Sequence, residues 1–194
     1  LRAFEQTLAD LGLEYLDLYL IHWPATFHRF DDWRRINTET WQAMEELYHG
    51  GKVRAIGVSN FLPHHLEALM TVADEQPSVN QIEFHPGFMQ TECVDFCKAC
   101  GIVVEAWSPL GTGRMLDNAT LKAIAGKYRK SVAQVCIRWA LQHEVLPLPK
   151  SVTPARIREN LDVFDFELSV ADMRTIDRME YFGGSGLNPD EIDF

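Results

Sequence analysis

The chain has 194 residues, 46% of them hydrophobic and 24% charged, with a formal net charge of -10. That is enough apolar material for one domain with a sizeable buried core. The dispersed acidic charge excludes a nucleic-acid surface, which needs a basic patch, and no apolar run approaches the about 18–20 residues needed to span a bilayer.

The opening Leu1-Arg2-Ala3-Phe4-Glu5 has no signal-peptide pattern, and a cytoplasmic protein is expected; it also has no Met and already reads as helix. Residues 1–11 read as a helix, with Leu1, Phe4, Leu8 and Leu11 on one stripe. Residues 16–21 are a near-continuous apolar run, as expected of a strand buried on both faces. A helix follows over 38–49, capped by Thr38 and ended by Gly50 and Gly51. The alternation continues with strand 53–58, helix 63–73, strand 79–84, helix 91–100 and strand 102–106. Two helices come next, 119–128 and 132–142, the second with Ser131 as N-cap. A short strand over 145–148, weakened by its prolines, leads to helices 155–161 and 170–179. The Gly/Pro/Asp-rich tail 183–194 reads as a loop. Five strands, each followed by helix and joined by no hairpin signal, predict a parallel sheet. Both a doubly wound sheet and a β/α barrel have this rhythm. No G-x-G-x-x-G follows a strand, which weighs against a Rossmann fold.

Cys93, Cys97 and Cys100 share one helical face by spacing, and Cys136 stands apart. With no second ligand pair at zinc spacing nearby, they read as small apolar packing residues, and no metal is expected.

In parallel α/β folds function sits at the carboxyl ends of the strands, and here each strand ends in unusual chemistry. The ends carry His22 and Trp23; Ser59 and Asn60; Gln81, Glu83 and His85; Glu105, Trp107, Ser108 and Leu110; and Lys150 and Ser151. Ser59, Asn60 and Gln81 suit a neutral carboxamide, and Trp107 offers a flat face for an aromatic ring. Gly111, Thr112 and Gly113 form a flexible loop that can approach a phosphate chain closely. Lys150, Ser151 and Arg156 form a cationic, hydroxyl-rich end, and an Arg at a helix start pairs well with a phosphate. A nicotinamide, a pyrophosphate and a ribose phosphate would fit that series. Singly, His22 at a strand end reads as structural, Trp107 as core and Lys150 as a solvated charge; their joint appearance favours a site.

The stretches LDLYLIHWP (16–24), IGVSNF (56–61), NQIEFHP (80–86), AWSPLG (106–111) and LPKS (148–151), with Arg156 to Asn160 beyond, resemble the aldo-keto reductase family. They cover essentially the whole chain, in order. Trp107 and the tail 183–194 are similar to the bacterial branch that includes the 2,5-diketo-gluconate reductases. The resemblance implies an α/β fold, a partial (β/α)8 TIM barrel holding about strands 4 to 8 with their helices. Residues 1–194 would form a single domain, the C-terminal five-eighths of the barrel, with its N-terminal units missing. It implies NADPH as cofactor and a small-molecule carbonyl substrate, with no nucleic-acid or membrane partner expected; the oligomeric state stays open, a monomer being the expectation for the intact enzyme. His22 would orient the substrate carbonyl and Trp23 line the substrate pocket. Ser59, Asn60 and Gln81 would hold the nicotinamide carboxamide, and Trp107 would stack on its ring. Ser108, Leu110 and Gly111 would flank the pyrophosphate. Lys150, Ser151 and Arg156 would bind the 2′-phosphate, with Glu159 and Asn160 near the adenine and Val152 also in the cofactor site.

The family's general-acid Tyr, its partner Lys and its Asp belong to the first three barrel units, which this chain does not include. It would then reduce aldehydes or ketones to alcohols only as part of an intact enzyme. Both outer strands, 16–21 and 145–148, should have one edge without a partner, leaving Leu18 and Leu20 unusually exposed. Two other readings stand beside this one. One is a non-catalytic NADPH-binding sensor or regulatory subunit on the same fold. The other is a barrel hydrolase using Glu83 or Glu105, which would need two carboxylates about 5–10 Å apart in an open cleft.

Overall fold

A computed structural model describes residues 1–181 and 184–192. Gly183, Asp193 and Phe194, the outer parts of the expected tail loop, lie outside the described residues. The element order is α1 (Arg2–Leu11), β1 (Tyr19–Ile21), α2 (Trp33–His49), β2 (Ile56–Ser59), α3 (Pro63–Met70), β3 (Val79–Glu83), α4 (Thr91–Ala99), β4 (Val103–Trp107), a 3-10 segment (Gly111–Asp117), α5 (Ala119–Tyr128), α6 (Val132–Gln142), β5 (Leu146–Pro147), α7 (Pro154–Leu161) and α8 (Val170–Asp177). The strands form one α/β sheet of order β1-β2-β3-β4-β5. β1 pairs with β2 in parallel, with Leu20 opposite Gly57, and β4 pairs with β5 in parallel, with Glu105 opposite Leu146. β1 and β5 stand at the two ends of that order.

Three sequence expectations need correction. The first strand is not buried on both faces: only Tyr19–Ile21 is regular, and all three residues are half-buried. Leu18 and Leu20 are half-buried as well. Leu16 contributes an isolated bridge to Val53 instead. A strand with a neighbour on one side has only part of its surface covered. The second helix starts at Trp33, five residues before the expected cap at Thr38. Its buried residues Trp33, Asn37, Trp41, Met44 and Glu45 follow the helical period, so burial of Trp33 wins over the cap signal of Thr38. The expected flexible loop at Gly111 to Gly113 opens a 3-10 segment, with Gly111 and Met115 buried.

By their contacts the residues divide into two compact units, Leu1–Asn80 with Phe96–Ile102 and the tail from Asn188, and Gln81–Asp95 with Val103–Leu187. In the first, β2 is buried at every position. Trp41 is 1% exposed and its indole N–H donates to the Glu75 carbonyl at 3.0 Å. Buried Glu45 accepts the backbone N–H groups of Asp74 and Glu75, at 2.8 and 2.9 Å, which satisfies the turn after α3. In the second, Phe84 and Trp139 stack with ring centroids 4.8 Å apart, and Trp139 Nε1 donates to Asp177 at 2.8 Å, tying α8 to α6. Ser131 caps α6 as expected, in a reciprocal box with Gln134. Buried Asp172, near the start of α8, accepts from Lys127 at 2.5 Å, Tyr128 at 2.7 Å and the Ser169 hydroxyl at 2.9 Å.

Cys93, Cys97 and Cys136 are buried and Cys100 is exposed, and none of the four is in a disulfide; burial pushes the Cys136 thiol up to about 12. Among the described residues no helix is long and apolar enough to cross a membrane.

Candidate functional site

The second unit carries a groove of about 620 Å³ built from two loops and a helix. One wall is the segment after β4. Ser108, Gly111, Thr112 and Gly113 all have left-handed φ, at 48°, 52°, 55° and 93°. Such a conformation is unfavourable for Ser and Thr, and it concentrates at binding sites where surrounding structure enforces it. Here a turn enforces it: Gly111 N–H donates to the Ser108 carbonyl at 2.8 Å and Gly113 N–H to that of Leu110 at 2.9 Å. Glycine suits position 111 because its φ of 52° is left-handed; a Cβ there would also sit 2.5 Å from the Met115 methyl, the mobile end of a flexible side chain. The other wall is the stretch after β5 and the start of α7, where Pro154 occupies the first turn.

The groove gathers eight of the sequence-predicted residues: Ser108, Leu110, Lys150, Ser151, Val152, Arg156, Glu159 and Asn160. Buried Gly111 sits behind its first wall. Leu110, Leu116, Leu148 and Pro149 supply apolar surface, and Lys150, Arg156 and the α7 N-terminus supply positive potential. Thr112 and Gly113 of the expected phosphate loop line it as well; Leu116, Ser131 and Thr153 also line it, and sequence reading did not single these three out as site residues. Ser131 was legible only as a helix cap; Thr153 and Leu116 carry no signal apart from the fold.

The first unit carries His22 and Trp23, in a cavity of about 400 Å³ whose walls include Thr26, Arg29, Phe30, Asn37 and Ile192. The His22 and Trp23 rings meet edge to face at 6.1 Å. Asn37 holds the loop after β1 in a two-way clamp: its Oδ1 accepts from Ala25 N–H at 2.8 Å and its Nδ2 donates to the Ala25 carbonyl at 3.1 Å. Asn60, also left-handed at φ 63°, donates from Nδ2 to the His22 carbonyl at 3.0 Å and to Ser59 Oγ at 3.1 Å. The ends of β1 and β2 are thereby fixed to each other. Asn37 is a supporting residue that sequence reading missed, because it lies inside a helix that was expected to start after it.

Gln81 and Trp107 belong to the second unit, where Gln81 Nε2 donates to Glu105 Oε2 at 2.8 Å. Glu83 is 3% exposed and accepts the Ser185 N–H at 2.8 Å and its hydroxyl at 2.6 Å. Burial pushes its carboxyl up, but His85 Nε2 at 3.5 Å and the hydrogen bonds from Ser185 outweigh that and hold it below the usual carboxylate value. A general acid at neutral pH needs the opposite. Both carboxylates are buried and engaged in bracing their neighbours, which removes the support for a hydrolase pair in an open cleft.

A parallel α/β fold with polar residues at its strand ends, and a groove carrying Lys150 and Arg156 beside the last strand, is the architecture of the large class of α/β enzymes that place their sites at strand carboxyl ends. The sequence profile of the aldo/keto reductase family matches residues 1–180, and the chain belongs to that family. It is 54% identical to glyoxal reductase of Bacillus subtilis (strain 168) over 194 residues, covering 100% of this chain and 67% of that protein. It is 48% identical to the 9,11-endoperoxide prostaglandin H2 reductase of Trypanosoma cruzi (strain CL Brener), covering 99% of this chain and 66% of that protein. Among solved structures, a Gox0644 mutant in complex with NADPH matches with a TM-score of 0.91 at 43% identity, covering 100% of this chain and 69% of that one. The chain thus spans about two thirds of the length of the relatives it matches.

Proposed function

We propose that these 194 residues form a single domain, the C-terminal five-eighths of a (β/α)8 barrel, in an enzyme that reduces aldehydes or ketones to alcohols with NADPH. The observation that carries this reading is the groove of the second unit, where Lys150, Ser151, Arg156 and Asn160 share one cavity with Ser108 and Leu110. Its donor set fits the phosphorylated end of that cofactor: two cations and a hydroxyl for a ribose phosphate, apolar walls for an adenine, and beside them the turn of Ser108 to Gly113. When bound, the cofactor supplies a hydride. In this chain His22, at the end of β1, orients the substrate carbonyl, and Trp23 gives it an apolar wall. Ser59, Asn60, Gln81 and Trp107 keep the roles that the family resemblance assigns them. A barrel closes with eight strands; β1 and β5, at the ends of the present order, would each pair with a strand outside it.

Arg156→Ala in the full-length protein tests the groove. A hydrogen bond to a charged group contributes about 1.5–3 kcal/mol, so NADPH binding should weaken by about 10- to 100-fold. NADH, which lacks the phosphate, should lose much less. Fluorescence titration of both cofactors measures this, and equal losses would refute the phosphate assignment.

A further inference from the structure

A cluster outside the groove links the tail to the cavity of His22 and Trp23. Asn188 shapes a turn: its Oδ1 accepts from Asp190 N–H at 3.1 Å and its carbonyl from Glu191 N–H at 3.0 Å. The turn presents Asp190 to the first turn of α3, where one carboxylate oxygen lies 2.9 Å from His64 Nε2 and 3.2 Å from His65 Nε2. Two residues on, Ile192 forms part of the wall of the cavity that holds His22 and Trp23.

Three such groups at these distances could hold a metal ion, but the tautomer of His65 speaks against it. His65 Nδ1 accepts the Leu62 N–H at 3.1 Å, so in the neutral ring the proton sits on Nε2. A metal needs a lone pair at that same nitrogen, which would require either an imidazolate or loss of the helix-start bond. The ring is 1% exposed and stands edge-on to Trp33, with centroids 5.4 Å apart. It has no room to turn without opening the core. A neutral ring with Nε2–H facing a carboxylate is the state its surroundings select. That nitrogen makes no hydrogen bond of acceptable angle among the described residues, so its attraction to Asp190 is electrostatic. His64, more exposed, supplies the closer contact.

We infer that His64, His65 and Asp190 form a latch that pins the tail turn to α3 and so places Ile192 as a wall of the His22–Trp23 cavity. Asp190 is then a positioning residue for substrate size, which rests on the reading of that cavity as the carbonyl pocket. The wall sits two residues beyond its anchor, so releasing the anchor frees the wall without touching His22 or Trp23.

The test compares wild type, Asp190→Ala, Asp190→Glu and His64→Ala in the full-length protein by amide hydrogen exchange and by KM for a small and a bulky aldehyde. Loss of one charge-assisted contact, about 1.4 kcal/mol, corresponds to about tenfold. Exchange across 188–192 should speed up by about that factor in Asp190→Ala and His64→Ala. The KM ratio of bulky to small aldehyde should move, and NADPH affinity should not. Asp190→Glu should recover part of both effects. Unchanged exchange in the two Ala variants would overturn the latch, and exchange judges it even in a protein that turns over no carbonyl. Faster exchange with an unmoved KM ratio would overturn the positioning role. Zinc binding by wild type that is lost in His64→Ala would overturn the tautomer assignment and replace the latch with a metal site.

Discussion

Gly57 lies in the middle of β2, opposite Leu20 of β1. Replacing glycine by alanine in a strand normally stabilises by about 0.5–1 kcal/mol, because glycine loses more backbone freedom on folding. Here geometry reverses the sign. A Cβ at Gly57 would lie 2.6 Å from the Val79 carbonyl oxygen, 2.8 Å from Leu20 Cδ2 and 3.1 Å from Val79 Cβ. Leu20 can rotate, but the Val79 oxygen is backbone and moves only if the start of β3 shifts. Overpacking of this kind costs about 1–3 kcal/mol, which exceeds the entropic gain. Gly57→Ala should therefore destabilise by about 1–2 kcal/mol. Gly126 in α5 provides the matched control. A Cβ there meets nothing within 4 Å, and in a helix Ala is favoured over Gly by up to about 1 kcal/mol. Urea denaturation of wild type, Gly57→Ala and Gly126→Ala reads both signs as shifts of the midpoint at constant slope. A Gly57→Ala protein as stable as wild type would refute the packing analysis, and it would leave a functional reason for the glycine in the IGVSNF stretch.

Two further tests address buried polar groups. Asp172→Ala removes the acceptor shared by Lys127, Tyr128 and Ser169 and should lower stability by about 1–3 kcal/mol; a urea midpoint within error of wild type would refute the role of that network. Burial, and then the neighbouring His64, lower the pKa of His65 from 6.5 to about 4. The unfolded chain therefore binds the extra proton between those pH values, so stability should be full above about 6.5 and fall as the pH drops toward 4, by up to about 3 kcal/mol at about 1.4 kcal/mol per pH unit. Urea midpoints over that range should show the slope, and His65→Gln should flatten it; an unchanged slope in the variant would refute the assignment to His65.

Local physics explains what the sequence could and could not reveal. The bounds of α5 and α6 were legible from their apolar period, and the start of α6 also from its cap Ser131; the structure adds Asn118 as the cap of α5. The α2 start was not, because a distant partner decides it. Trp33 and Asn37 are buried, Trp33 against His65 and Asn37 against the loop at Ala25, and neither partner is near in sequence. The groove was legible as a set of residue types at the ends of β4 and β5, since parallel strands with right-handed crossovers bring their carboxyl ends to one side. Its turn was less so: a stretch rich in Gly reads as flexible, whereas here Gly111 is buried and the Ser108 and Leu110 carbonyls accept the Gly111 and Gly113 N–H groups. The tail was least legible of all. Ser185 on Glu83, 102 residues apart, and Asp190 on His64, 126 residues apart, are contacts between a segment without hydrophobic period and helices or strands long past. A loop held this way has no pattern of its own. Its conformation is dictated by the polar groups it meets, so its order can be changed by one carboxylate without disturbing the core that carries it.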